Sequence, residues 1–94
     1  MTRLMLDGST MQSESDFHDQ VSAHPETPEH YGRNLDALFD ILVSEYRSPV
    51  LIVWDNAQQA REELGKRYSL ILDTFGDAEE ELRMAGRRLG VLLR

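Results

Sequence analysis

The chain has 94 residues, 17 of them acidic and 10 basic, for a formal net charge of −7. That length allows one domain, residues 1–94, with a single core and little apolar surface to spare. A pI near 4.8 sets the chain against RNA, DNA and anionic membranes and in favour of cationic partners. The absence of cysteine excludes disulfides, thiolate metal sites and cysteine nucleophiles. The apolar run near the N-terminus is only Leu4 to Leu6, and no segment has the ~18 apolar residues of a membrane span, so a cytoplasmic location is expected.

In chain order, Arg3 to Asp7 reads as a first strand, followed by an Asp-Gly turn. Ser13 with Asp16 three residues later marks a helix start, and Phe17 and Val21 lie four apart on its apolar side. Pro25 and Pro28 end this helix and favour an extended link. Tyr31-Gly32 predicts a turn, with the glycine able to take a positive φ. Leu35, Leu38, Phe39, Leu42, Val43 and Tyr46 then recur at helical spacing, a full amphipathic stripe with Asn34 placed to cap it. Ser48-Pro49 closes that helix, and its peptide bond is open to either isomer.

Val50 to Trp54 and Leu89 to Leu93 are nearly continuous apolar runs, the pattern of strands buried on both faces. Between them, Asp55 and Asn56 can cap a short helix with Ala57, Ala60 and Leu64 inward, broken at Gly65. A longer helix follows with Tyr68, Ile71, Leu72, Phe75, Ala78 and Leu82 inward, ending near Gly86. The spacers are too long for hairpins, so the expected fold is α/β, a three-stranded parallel sheet packed with about four helices. His18 and His24 read as surface or helix-end residues, and Trp54 as core.

The charge is unevenly placed. Residues 1–60 contain 3 basic and 10 acidic side chains, whereas residues 61–94 contain 7 of each. On the central helix Asp36 and Asp40 are four apart, on one side. Stepping about 100° per residue from Leu35 places the apolar stripe between about 300° and 80°, Asp36 near ~100° and Asp40 near ~140°, both towards solvent. Like charges at this spacing destabilise a helix by ~0.2–0.5 kcal/mol. Such a pair is commonly just a solvated face, and Arg33 and Arg47 fall near enough to neutralise it.

The run Pro28-Glu29-His30-Tyr31-Gly32-Arg33-Asn34-Leu35-Asp36-Ala37-Leu38-Phe39-Asp40 resembles the hallmark of the barstar family, and the likeness extends over nearly the whole chain. Barstar-like proteins are intracellular inhibitors of ribonucleases, typified by inhibitors of barnase, and plug the nuclease active site with the second helix and the loop before it. The resemblance implies Asp40 as the principal anchor, accepting charge-assisted hydrogen bonds from the nuclease, and Asp36 as a supporting carboxylate. It implies a partner-binding set of His30, Asn34, Leu35, Asp36, Phe39, Asp40, Val43, Ser44 and Asp77, with no catalytic residue, metal or cofactor.

Where the family has aromatics, this chain has His30 and Glu45, and Phe39 stands for a tryptophan. The partner expected is therefore a barnase-type or related toxin ribonuclease, bound one-to-one by a monomer. An enzyme using Asp36, Asp40 and His30 as metal ligands, and an acidic mimic of nucleic acid directed at another nuclease or a DNA-binding protein, are the competing readings.

Overall fold

Alternation along the first strand shows which way the sheet faces. In β1 (Thr2–Asp7), Thr2, Leu4 and Leu6 are buried while Arg3 and Met5 are exposed. The computed structural model, which describes all of residues 1–94, pairs β1 in parallel with β2 (Val50–Asp55), and β2 in parallel with β3 (Leu89–Leu93). The order is β1-β2-β3, so β2 is central and the other two are edges.

Leu4, Ile52 and Val91 share one register row, as do Leu6, Trp54 and Leu93. The helices pack on the face to which Leu4, Leu6, Val50, Ile52 and Trp54 point. The α/β architecture expected from the sequence is therefore present, with a three-stranded parallel sheet and four helices.

The third strand differs from expectation. Only Leu89 is buried, and Val91, Leu92 and Leu93 are 39–46% exposed. As an edge strand with helices on one face alone, β3 shields little beyond its first residue, so its apolar run does not signify burial on both faces. On β2 the expectation nearly holds, since Val53 is buried although it lies outside the main core.

Helix α1 (Glu14–Ser22) follows a short 3-10 turn at Gly8–Thr10. A Cβ on Gly8 would lie 2.2 Å from the Asn56 carbonyl oxygen, so only glycine permits this approach between the ends of β1 and β2. Phe17 and Val21 are buried as predicted. Helices α3 (Ala57–Leu64) and α4 (Lys66–Met84) are separated by Gly65 at φ 57°, and bury the expected residues apart from a half-buried Leu72. Trp54 is fully buried, its ring 5.5 Å from Phe17 and 5.1 Å from Tyr68 between centroids. The Ser48-Pro49 peptide is cis.

The central helix departs from regularity. Helix α2 covers Leu35–Asp40 only, and the chain continues as a π turn over Ile41–Glu45, closed by the Tyr46 N–H donating to the Ile41 carbonyl at 2.9 Å. In an unbroken α-helix Ile41 would lie at about 240° from Leu35, opposite the stripe. Ile41 is buried nonetheless, as are Leu42 and Tyr46 around the wide turn.

Candidate partner-binding face

Helix α2 is positioned by its entry. Arg33 adopts a left-handed φ of 56°, and Asn34 then caps the helix, its Oδ1 accepting from the Ala37 N–H at 2.8 Å. The positive φ open to Gly32 thus belongs to Arg33. Gly32 serves another purpose, because a Cβ there would come within 3.2 Å of Ala37 Cβ in the first turn.

Two strips run side by side along this segment. Leu35, Phe39 and Val43 are half-buried and packed against the core. Asp36, Asp40 and Ser44 are exposed. Of the predicted set, His30, Asp40 and Ser44 line one shallow hollow of about 410 Å³ with Tyr31, Gly32 and Ile41. Asn34 is exposed at the cap, and Asp36 lies one turn before Asp40, outside the hollow. Asp77 is exposed on α4, the helix against which α2 packs, and does not line it.

Glu45 lines the hollow too, a residue the sequence reading treated only as a replaced aromatic. Glu45 ends the wide turn of Ile41–Glu45, five residues after Asp40, and no local pattern in the sequence marks that turn. His30, Asp36 and Asp40 are not gathered into a set able to hold a metal ion.

The arginines do not neutralise the carboxylates, contrary to expectation. Arg33 reaches back to α1, pairing with Asp19 at 2.7 Å and donating to the Ser15 carbonyl at 3.2 Å. Arg47 lies 3.8 Å from Glu26. These longer-range partners of opposite charge take both cations away, and Asp36 and Asp40 form no ion pair within the chain.

The loop ahead of α2 is closely held. Thr27 is buried, its hydroxyl donating to the Val21 carbonyl at 2.7 Å and lying 2.7 Å from the Tyr46 hydroxyl. Tyr31 is buried, and burial pushes its phenol pKa up, so the hydroxyl keeps its proton. His18, expected at the surface, is 2% exposed. Glu14 and Tyr31 bind its two ring nitrogens, which compensates the imidazole for loss of water. His24 does sit at a helix end, its Nδ1 accepting from the Glu26 N–H at 3.0 Å.

A rigid α/β scaffold that displays unpaired carboxylates beside a shallow, open hollow has the build of a protein-binding domain. Residues 1–94 match the family Barstar (barnase inhibitor), and the chain belongs to that family. It is also 31% identical over 83 residues to a Bacillus subtilis (strain 168) protein named "Putative ribonuclease inhibitor YrdF", a match covering 88% of this chain and 91% of that one. Barstar-family proteins are inhibitors and not enzymes, and this chain's role is of the ribonuclease-inhibitor class. No helix is long and apolar enough to cross a membrane.

Proposed function

We propose that this protein inhibits a barnase-type or related toxin ribonuclease one-to-one by seating the exposed side of α2 and the loop before it in the enzyme's basic active site. The observation that carries the reading is the unpaired state of Asp36 and Asp40, whose nearest cations in sequence are committed to Asp19 and Glu26. An enzyme that stabilises a phosphoryl transition state focuses positive potential in its cleft, and an exposed pair of carboxylates on a packed helix complements that field.

Asp40 is the central anchor, with Asp36 and Ser44 beside it, His30 and Asn34 at the loop and cap, and Leu35, Phe39 and Val43 along the apolar flank. Asp77 adds a peripheral charge from α4. Because Asp36 and Asp40 stand on a helix already packed against the core, little backbone freedom is lost there on docking.

Calorimetric titration into a barnase-type ribonuclease tests this. The expected result is one-to-one binding, weakened far more by Asp40→Ala than by Asp77→Ala, because a desolvated central group outweighs a rim charge. Equal small losses from the two substitutions would remove Asp40 from the centre of the interface.

A further inference from the structure

The binding loop is tied to the body of the protein by a buried polar relay that begins on α1. His18 Nδ1 lies 2.6 Å from the Tyr31 hydroxyl, and His18 Nε2 lies 2.8 Å from Glu14 Oε2. Glu14 in turn pairs with Arg67 at the start of α4. The relay therefore joins three parts of the fold: α1, the loop preceding α2, and α4.

Its directions follow from the chemistry of each group. Arg67 holds the Glu14 carboxyl below its ordinary range, assisted by the His18 ring and opposed by partial burial. Ionised Glu14 only accepts, so His18 donates from Nε2. In neutral His18, Nδ1 then accepts, and the protonated Tyr31 hydroxyl donates to it. Each hydrogen bond satisfies a group that water scarcely reaches.

We infer that Tyr31, held by His18, is a positioning residue for partner binding: the hydrogen bond fixes residues 28–33 so that His30 and the start of α2 are presented in one conformation. The inference rests on the inhibitory reading of this face. Tyr31 follows exposed His30 directly, and both line the hollow with Asp40.

Thr27 holds the start of the loop, and two other fastenings lie within residues 28–33. The Tyr31 N–H donates to the Pro28 carbonyl at 3.0 Å, and Arg33 reaches α1 with an exposed side chain. Ordering a free residue costs backbone entropy. A loop fixed before encounter spares the complex that loss.

The test uses the full chain with Tyr31→Phe, which removes only the hydroxyl, and His18→Gln, whose amide oxygen and N–H can replace the two ring contacts. Amide hydrogen exchange is read at Tyr31 and Ala37, whose N–H groups bond Pro28 and Asn34, and at β2 for comparison. Loss of one net hydrogen bond predicts about tenfold faster exchange at Tyr31 and Ala37 in Tyr31→Phe, no greater acceleration at β2, and His18→Gln near wild type.

Affinity for a barnase-type ribonuclease is expected to fall by about tenfold in Tyr31→Phe and to be largely kept in His18→Gln. Unchanged loop exchange, or equal inhibition by wild type and Tyr31→Phe, would overturn the positioning role. If the wild type fails to bind the ribonuclease, the partner assignment falls, and the exchange comparison alone decides whether Tyr31 fixes the loop.

Discussion

Replacing Asp40 by asparagine separates what the carboxylate does for the fold from what it does for a partner. Asparagine keeps the shape and nearly the helix propensity of aspartate. In the free protein the change removes no ion pair and relieves repulsion with Asp36 one turn away. Relief of an i,i+4 like-charge pair stabilises by ~0.2–0.5 kcal/mol. In a domain of this size each kcal/mol moves the melting temperature by about 4–8 °C, so a rise of about 1–4 °C is expected.

For the complex the direction reverses. Each charge-assisted hydrogen bond lost to an enzyme arginine or histidine removes about 1.5–3 kcal/mol, or about 10- to 150-fold in affinity. Thermal melts by circular dichroism and inhibition assays against a barnase-type ribonuclease read the two quantities on the same samples. A fall in melting temperature of more than about 2 °C would show that Asp40 supports the fold. Unchanged inhibition would show that the carboxylate is not the anchor, and either result would refute the reasoning.

Three further outcomes concern stability. Glu14 titrates below its ordinary 4.5 in the folded protein because Arg67 and then His18 favour the carboxylate over the opposing effect of burial. The stabilisation is therefore full above pH 4.5 and is lost as pH falls through the folded value. Wild type should exceed Glu14→Gln in urea unfolding at neutral pH, with the gap closing below pH 4.5; a gap that stays constant would contradict the linkage. Gly8→Ala should lose about 1–3 kcal/mol or more, since its Cβ would strike the Asn56 carbonyl. Gly76→Ala, on open helix surface, should gain ~0.5–1 kcal/mol in the same urea series.

Local pattern carried much of this fold in plain view. The three strands, the Asn34 cap and the inward residues of α3 and α4 are all set by short-range periodicity and capping chemistry. What periodicity could not convey was neighbourhood. The apolar run Leu89 to Leu93 has the same composition at a sheet edge as at its centre, and only strand order tells them apart. His18 looks like a surface residue beside Phe17 until Tyr31 is brought to it from the loop before α2, completing the contact that Glu14 already offers one turn earlier on α1. Arg33 and Arg47 sit near the acidic pair in sequence, yet their partners Asp19 and Glu26 come from α1 and the loop after it. At the candidate face, the family-like run gave the residues, while the grouping of Glu45 with Asp40 depended on one wide turn.

That turn divides the display surface into two sectors with separate geometric control. Asp36 and Asp40 take their directions from the Asn34 cap and ordinary α geometry. Ser44 and Glu45 take theirs from the extra residue accommodated before Tyr46 returns the chain to the core. On the proposed inhibitory reading, substitutions at positions 44 and 45 would reshape one sector of the contact face and leave the directions of Asp36 and Asp40 unchanged.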